Sequence, residues 1–210
     1  MQSHSQHGQD KFVYERFFKG RSAPGVFVDV GAYDGVKFSN TLLFEQLGWQ
    51  GICIEPLPSV FEGLKTARKA LCLNCAVSDS AGTGTLLEVD MPADFEKMYS
   101  GLKANFDERH RKTIAQWGKG AKEIRVPIRR LADILDENNI RHVDYMSIDT
   151  EGSEWKILRG LDLRTYDVTV LSIENNYQDQ KIRNHMAANG YRLVNIFANM
   201  DELYAKPNSN

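Results

Sequence analysis

Short apolar segments alternate with helical segments along most of the chain, and this alternation limits the folds that the chain can adopt. Three segments of the first half have the apolar content of buried strands: VFVDVG, WQGICIEP and LCLNCAVSD. The segments between them, SNTLLFEQLG and SVFEGLKTARKA, start at or near Ser39 and Ser59, residues that favour a helix N-cap. A β-α-β-α-β order on short connections predicts parallel strands joined by right-handed crossovers. We therefore predict an α/β fold.

The second half of the chain continues this pattern less regularly. Its strand candidates are TGTLLEV, EIRVPI, VDYMSIDTEG, VTVLSIENN and the closing hairpin YRLVNIFAN/DELYAKP. Helices are predicted at about residues 9–19 and in RLADILDENN, SEWKILRGL and QKIRNHMAANG. Residues 90–122 have helical pieces but no strong periodicity, which indicates a lid-like insertion. Because the sequence has no internal repeat and no low-complexity linker, we expect a single domain over residues 1–210.

Composition excludes several classes of protein. The 210 residues have a formal net charge of -2, which gives no support for a nucleic-acid surface held by bulk charge. No apolar run approaches the roughly 20 residues needed to span a bilayer. The N-terminus lacks the basic-then-apolar order of a signal peptide, so we expect a soluble, cytoplasmic protein. The insertion, if exposed, would be a natural contact for a homodimer.

Cys72 and Cys75 form a CxxC-like pair in an apolar segment. A zinc site would need two further ligands at a suitable spacing, and the sequence has no such pair. In a strand, the side chains of residues three apart point to opposite faces. We therefore predict buried, reduced thiols.

Four predicted strands end in acidic residues: Asp29, Glu55, Asp149 and Glu174. In an open parallel sheet, ligands bind beyond the carboxyl ends of the strands. Buried carboxylates are costly unless they are paired or hydrogen-bonded. Acids at four strand ends therefore predict a shared polar cleft at this edge of the sheet.

The turn after the first strand has the pattern D-x-G-x-x-x-G, formed by Asp29, Gly31 and Gly35. It is neither the G-x-G-x-x-G of dinucleotide folds nor a P-loop, and its acid would repel a pyrophosphate. It suits a ligand with donors, such as the amino acid part of S-adenosylmethionine, and Glu55 could accept both hydroxyls of a ribose. The alternative is that Asp29 caps the next turn and that Glu55 caps the second helix.

Together these segments resemble the FkbM family of S-adenosylmethionine-dependent methyltransferases. The resemblance extends over residues 5–176 and rests on six segments: SQHGQDKFV, FVDVGAYDGVKFSNT, LGWQGICIEPLPSVFEGL, NCAVSD, VDYMSIDTEGSEWKIL and LSIENN. It does not cover residues 90–122. It implies the class I methyltransferase, Rossmann-like fold, with a seven-stranded, mostly parallel sheet of order 3-2-1-4-5-7-6 and helices on both faces.

The resemblance also implies where S-adenosylmethionine binds. Asp29, Gly31 and Gly35 would line its methionine side, Glu55 would hold the ribose, and Ser78 and Asp79 would lie along the adenine. The full set of predicted cofactor-binding residues is Asp29, Gly31, Ala32, Tyr33, Asp34, Gly35, Asn40, Glu55, Ser78 and Asp79. Members of the family typically methylate hydroxyl groups of sugars or macrolide-like natural products.

Methyl transfer to a hydroxyl requires that the acceptor is aligned and loses its proton. The predicted catalytic residues are Asp149, as general base, and Glu151, which would position the substrate. By comparison with catechol-type O-methyltransferases, Asp149, Glu174 and Asn175 could hold Mg²⁺. The alternative is a metal-free polar cleft. Glu154 lies in the first turn of a predicted helix, where an acid suits the helix dipole.

Two further segments have open interpretations. The charged run DERHRK, residues 107–112, is either a solvated face or a clamp on an anionic substrate, with His110 as a candidate general base. Gln9 and Asp10 either lie across the cofactor mouth or, in the case of Asp10, only cap the following helix.

The sequence as a whole predicts an S-adenosylmethionine-dependent O-methyltransferase. Its partner would be a small-molecule acceptor with a sugar-like, glycan or polyketide-type hydroxyl, with possible assistance by Mg²⁺. The alternatives are a non-catalytic S-adenosylmethionine-binding partner protein, an N-methyltransferase on the same fold, and a nucleotide-sugar or dinucleotide enzyme, whose expected glycine motif is absent.

Overall fold

A computed structural model describes residues 1–92, 96–176 and 178–207 of the chain. The α-helices in these residues are α1 Gln9–Val13, α2 Leu42–Gln46, α3 Pro58–Ala67, α4 Glu108–Trp117, α5 Leu131–Glu137, α6 Glu154–Arg159 and α7 Gln180–Ala188. A π-helical segment, Tyr14–Phe18, continues α1, and Lys103–Asn105 form a 3₁₀ turn. The strands are β1 Val26–Val30, β2 Gln50–Ile54, β3 Leu71–Leu73, β4 Ala76–Ser78, β5 Gly82–Asp90, β6 Gly101–Leu102, β7 Gly120–Arg130, β8 His142–Ile148, β9 Asp167–Glu174, β10 Arg192–Phe197 and β11 Asp201–Ala205.

The central sheet has seven strands in the order β10-β11-β9-β8-β1-β2-β3. The pairs from β9 to β3 are parallel, and β11 is antiparallel to both of its neighbours. When the strands of this sheet alone are counted along the chain, the order from the β3 edge is 3-2-1-4-5-7-6. The prediction of an α/β fold is confirmed.

A second sheet makes the prediction of a single seven-stranded sheet incomplete. It has four strands in the order β4-β7-β5-β6, so the described residues form eleven strands in two sheets. The predicted third strand LCLNCAVSD is split between the sheets: β3 pairs with β2, and β4 pairs with β7. The break falls at Asn74, whose amide donates to the Glu55 carbonyl (2.8 Å) and so fixes the chain where it leaves the central sheet.

The two cysteines of the CxxC-like pair lie on opposite sides of this break. Cys75 is buried and Cys72 is half-buried, and both are free thiols. Burial raises the pKa of the Cys75 thiol to about 11. The prediction of reduced thiols agrees with the structure, although Cys72 is less buried than predicted.

The predicted insertion, residues 90–122, connects two strands of the second sheet and contributes the short strand β6 to it. The ladder between β5 and β7 runs from Gly82 opposite Ile128 to Asp90 opposite Gly120, so the segment between these strands leaves the sheet and returns to it. The helix α4 begins after Asp107, whose side chain accepts from the amide of His110 (2.7 Å). Within the described residues, none of the helices combines the length and apolar character that crossing a membrane requires.

The central sheet separates two apolar clusters. One contains Val28 and Ile148 with side chains from α5, α6 and α7, and the other contains Phe27 and Tyr145 with side chains from α1 and α2. Burial on both faces explains why β1 and β8 are mostly apolar and do not alternate regularly between apolar and polar residues. The acids at the ends of these strands are therefore the first polar groups that the sheet presents to a ligand.

Arg68, just after α3, is the buried cation that lies beneath the β1–α2 loop. Its side chain has no exposed surface; its Nε lies 3.2 Å from Glu45 Oε2, and its guanidinium stacks on the Phe27 ring. It also donates to Thr41 Oγ1 (3.0 Å) and to the Gly35 carbonyl (3.3 Å). Removing one partner of a buried ion pair leaves the other charge uncompensated, so Arg68 should contribute strongly to stability.

Replacing Arg68 by alanine should lower the free energy of unfolding by about 3–5 kcal/mol, because it removes the positive charge beside the half-buried Glu45 and the buried Asp29 carboxylates. Urea denaturation measures this loss. The matched control is Lys65→Ala, whose exposed pair with Glu62 lies on the same helix and should be worth less than about 1 kcal/mol. Equal losses in the two variants would contradict this role for Arg68.

Candidate active site

A cavity of about 220 Å³ lies at the carboxyl ends of the parallel strands. The four acids at strand ends, Asp29, Glu55, Asp149 and Glu174, all line it. Parallel strands bring these ends to one edge of the sheet, so residues far apart in the sequence meet in one place.

The end of β1 approaches the end of β8 so closely that a side chain cannot fit between them. A Cβ atom on Gly31 would lie 1.6 Å from the carbonyl oxygen of Asp149, and Gly31 has a φ of 91°. The amides of Gly31 and Ala32 both donate to the Ile54 carbonyl (2.9 and 3.0 Å), which ties this turn to β2. Bare backbone therefore forms one wall of the cavity at this point.

Glu55 is a buried carboxyl group at the end of β2. Its Oε2 accepts from the amide of Tyr33 (3.1 Å) and its Oε1 from the amide of Leu57 (2.8 Å). Removal from water raises the pKa of Glu55 to about 7, although these two hydrogen bonds lower it. Each oxygen keeps a further lone pair, so the group can still accept from hydroxyl donors in the cavity.

Asp29 and Asn40 lie on the β1 side of the cavity. Asp29 accepts from Thr41 Oγ1 (2.6 Å); burial raises the pKa of Asp29, and the nearby Arg68 guanidinium opposes that shift. The Asn40 amide donates to Ser147 Oγ (3.0 Å), and its carbonyl oxygen is buried with no hydrogen-bond partner among the described residues. A buried acceptor without a donor is rare in proteins and indicates a donor that a ligand would supply.

Asp149, Glu151 and Glu174 form the acid cluster of the cavity. Each has a carboxylate oxygen within 4.8 Å of one in each of the other two. Asp149 and Glu174 lie close enough to form a hydrogen bond when one of them carries a proton. Removal from water and repulsion by neighbouring carboxylates, which for Asp149 are chiefly Asp201 and Glu154, raise the pKa of all three groups, that of Asp149 to about 8.

The predicted insertion supplies a wall of the cavity beside the acid cluster. Six consecutive residues, 97–102, line the cavity, and they include Tyr99. His110 is buried and stacks on Phe106; its Nε2 lies 3.1 Å from the Tyr99 carbonyl and its Nδ1 lies 3.5 Å from Glu151 Oε2. Glu151 has a φ of 55°, an uncommon conformation for a residue with a side chain. The insertion is thus joined to the acid cluster through His110.

The remaining charged residues of DERHRK do not form a clamp. Arg109 and Arg111 do not line the cavity, and Arg111 donates to the carbonyls of Phe106 and Lys103. Lys112 pairs with Glu108 on the exposed side of α4. The solvated-face interpretation therefore describes this run better, except for His110.

Glu154 acts within the loop between β8 and α6. Its Oε1 accepts from the amide and hydroxyl of Thr150 (both 2.8 Å), and both of its carboxylate oxygens accept from the amide of Gly152. It therefore shapes the loop that carries Glu151 rather than lining the cavity.

Two residues predicted to bind cofactor in the first turn do not line the cavity: Asp34 and Gly35. The Asp34 carboxylate accepts from the amides of Val36 and Lys37 (2.9 and 2.7 Å), so it closes the turn itself. A Cβ atom on Gly35 would lie 2.6 Å from the Arg68 side chain. The second glycine of the motif therefore makes room for the buried arginine instead of for a ligand.

Three other predicted residues also lie away from the cavity: Ser78, Asp79 and Asn175. Ser78 is in β4 of the second sheet, and Asp79 pairs with Arg159 (Nε to Oδ2, 2.6 Å). The Asn175 side chain accepts from the amide of Asp179 (2.7 Å) and fixes the start of α7. Glu151 takes the place predicted for Asn175 in the candidate metal-ligand set.

Other cavity residues escaped the sequence reasoning. Residues 97–102, Gln6 and Asp201 all line the cavity. Of these, Asp201 could have been predicted from the sequence. It is the first residue of the second strand of the closing hairpin, and that strand pairs with β9. Residues 97–102 could not have been predicted in this way, because the sequence has no strong periodicity there.

The chain matches known methyltransferases over most of its length. The family model described as "Methyltransferase FkbM domain" matches residues 29–193. The chain is 30% identical over 190 residues to the 31-O-demethyl-FK506 methyltransferase FkbM of Streptomyces tacrolimicus, covering 76% of this chain and 72% of that protein. It is 24% identical over 209 residues to methyltransferase sdnD of Sordaria araneosa, covering 85% and 79%.

Among solved structures, the METTL16 MTase domain has a TM-score of 0.52 at 12% identity. That likeness covers 93% of this chain and 65% of the other, and it concerns the fold alone. The family model covers well over half of the chain and agrees with the motifs around β1, β2 and β8. The resemblance drawn from the sequence is confirmed, and the chain belongs to the FkbM methyltransferase family.

Proposed function

We propose that this methyltransferase transfers a methyl group from S-adenosylmethionine to a hydroxyl of a small molecule of the sugar-like, glycan or polyketide type. The observation that supports this most is that one cavity contains both the Glu55 end, suited to a ribose, and the acid cluster, suited to deprotonating an acceptor. The name of the Streptomyces relative gives a 31-O-demethyl acceptor, which favours a hydroxyl over an amine.

The residues of the cavity fit S-adenosylmethionine. Gly31 lines the cavity with bare backbone, and Asn40 has a buried acceptor without a donor among the described residues. Glu55 would accept the ribose hydroxyls, and Asp29 would face the amino acid part. Ala32 and Tyr33 line the same wall. When bound, the cofactor supplies an electrophilic methyl group on a positively charged sulfur, a charge that the acidic walls would stabilise.

Asp149 and Glu151 would act on the acceptor. A hydroxyl is a poor nucleophile until it loses its proton, and both carboxyl groups line the cavity. The raised pKa of Asp149, about 8, makes its carboxylate a stronger base than an ordinary aspartate at neutral pH. Asp149 would therefore accept the hydroxyl proton, and Glu151 would orient the acceptor.

A divalent cation at the acid cluster is the more specific form of this proposal. Asp149, Glu151 and Glu174 offer carboxylate oxygens, the ligands that Mg²⁺ prefers. The ion would supply positive charge that eases loss of the hydroxyl proton. In the metal-free alternative, Asp149 alone serves as the base. A binding-only partner protein would not require this cluster.

Replacing Glu55 by glutamine should weaken binding of S-adenosylhomocysteine about 10- to 100-fold, because the ribose loses a charged acceptor and the new amide faces backbone donors. Calorimetry measures the dissociation constant. Glu62→Gln, on the exposed side of α3, is the control and should bind like the wild type.

Wild-type affinity should also rise from about pH 6 to 8, since the carboxylate forms as pH passes the Glu55 pKa of about 7. The rise should be absent from Glu55→Gln. An unchanged affinity in that variant would place the nucleoside elsewhere.

The acid cluster should bind Mg²⁺ or Mn²⁺ in protein that has been stripped with EDTA. Calorimetry should detect one saturable site that is lost in Glu174→Gln and kept in Asn175→Ala, because the Asn175 side chain is engaged with Asp179. EDTA should abolish methyl transfer and added Mg²⁺ should restore it. Full activity in EDTA, with no saturable binding, would leave Asp149 as a metal-free base.

The stability of the ligand-free protein should fall as pH rises from about 5 to 8. The folded-state pKa values of Asp149, Glu151 and Glu174 lie above their unfolded values, so the native state binds more protons in this window. Each such group lowers the free energy of unfolding by about 1.4 kcal/mol per pH unit.

Glu174→Gln should flatten this dependence and be more stable than the wild type at pH 8. Urea denaturation at pH 5, 6.5 and 8 measures both effects, with Glu62→Gln expected to follow the wild type. A steeper decline in Glu174→Gln than in the wild type would rule out repulsion within the cluster.

A further inference from the structure

The N-terminal strap, residues 3–9, precedes the segment that the family model matches, yet it contributes to the cavity. Gln6 and Gln9 line the same space as Asp29 and Asp149. Gln9 is almost fully buried although it is a polar residue close to a chain end. Chain ends are usually poorly ordered unless specific contacts hold them, so the contacts of this strap matter.

Asp10 holds the first part of the strap. Its carboxylate is fully buried and accepts from Ser3 Oγ (2.5 Å), Ser5 Oγ (2.7 Å) and the amide of His4 (2.7 Å). A buried carboxylate that lost these donors would be costly, so the strap and the carboxylate stabilise each other. Capping of the following helix, the alternative role drawn from the sequence, uses none of these three contacts.

The strap then contacts the loop between β1 and α2. Ser5 forms an isolated parallel β-bridge with Phe38, and Phe38 lines the cavity. The ring Nε2 of His4 lies 3.1 Å from Gln46 Oε1 on α2. The strap is therefore fixed on the side of the cavity where the cofactor turn lies.

The far end of the strap is fixed to β11, on the other side of the acid cluster. The Gln9 side chain donates to Asp201 Oδ2 (2.8 Å) in a buried hydrogen bond, and its oxygen accepts from the amide of His7 (2.8 Å). Asp201 lines the cavity and is the strongest neighbouring charge acting on Asp149. The strap thus extends from the β1–α2 loop to the strand beside β9.

We propose that the N-terminal strap is a fixed wall of the methyl-transfer site and that Asp10 is the positioning residue that holds it there. This inference rests on the proposed function, because the strap would exclude water from S-adenosylmethionine and the acceptor. Exclusion of water strengthens every electrostatic contact that the acidic walls make with a positively charged cofactor. The Gln9 amide would in addition fix the direction in which the Asp201 carboxylate faces.

The experiment compares S-adenosylhomocysteine affinity with exposure of the strap in three variants of the full chain. Asp10→Ala removes the acceptor of the three donors. The double variant Ser3→Ala/Ser5→Ala removes two of the donors near the surface and should fold even if Asp10→Ala does not. Asp162→Asn is the control, since Asp162 likewise accepts from an amide and a hydroxyl (Arg164 and Thr165), but in a turn outside the cavity.

Hydrogen exchange should show faster exchange at residues 4–9 in both strap variants and no change in the control. Calorimetry should show S-adenosylhomocysteine binding weakened at least about tenfold in the strap variants, as expected for the loss of several hydrogen bonds. Affinity that stays at the wild-type value while the strap is released would overturn the proposal, and so would a strap that stays protected. A wild-type protein that binds no S-adenosylhomocysteine would instead overturn the proposed function itself.

Discussion

The burial of carboxyl groups at one edge of the central sheet is the constraint on which the rest of this structure depends. Asp29, Glu55, Asp149 and Glu174 are drawn there because parallel strands end together. Carboxylates away from water are costly unless a cation or a hydrogen-bond donor compensates. The Arg68 guanidinium acts on Asp29, and backbone amides act on Glu55. No comparable cation is among the described residues that set the pKa of the acid cluster.

This imbalance gives the cavity its chemical character. Without a positive partner, Asp149 and Glu174 have raised pKa values, which express the cost of ionising both carboxyl groups away from water. A sulfonium or a divalent cation would remove that cost by bringing positive charge into the site. The same carboxyl groups therefore lower the stability of the ligand-free protein and favour the binding of a cationic ligand.

The sequence was sufficient for the parts of the fold that depend on local signals. The strands that end in Asp29, Glu55 and Asp149 are short apolar runs bounded by turn residues, and Ser39 caps the start of α2 as predicted. The predicted cap at Ser59 is wrong, because α3 begins one residue earlier, at Pro58, and has no side-chain cap. The second sheet escaped prediction because it depends on the long ladder between β5 and β7, whose residues are far apart along the chain. The split of the third strand depends on one side-chain contact of Asn74.

The positions of the predicted site residues that lie outside the cavity have a similar origin. Glu174 and Asn175 are adjacent at a strand end, and successive side chains of a strand point to opposite faces, so only one of them could face the acid cluster. Ala76 and Val77 of β4 line the cavity, but Ser78 ends this strand outside the cavity, and Asp79 pairs with Arg159 there. In the first turn, the spacing of glycines predicted the close approach at Gly31 but not that Gly35 accommodates Arg68.

Local and long-range contacts also divide the cavity into two kinds of wall. The turn after β1 and the end of β2 are built from residues near one another in the sequence, which is why the cofactor side could be read from motifs. Beside the acid cluster, the walls come from residues 97–102, Gln9 and Asp201, which the fold brings together from the insertion and from both ends of the chain. Segments of this kind can vary without disturbing the sheet. Changes in the second kind of wall would therefore alter the cavity beside the acid cluster and leave the turn after β1 intact.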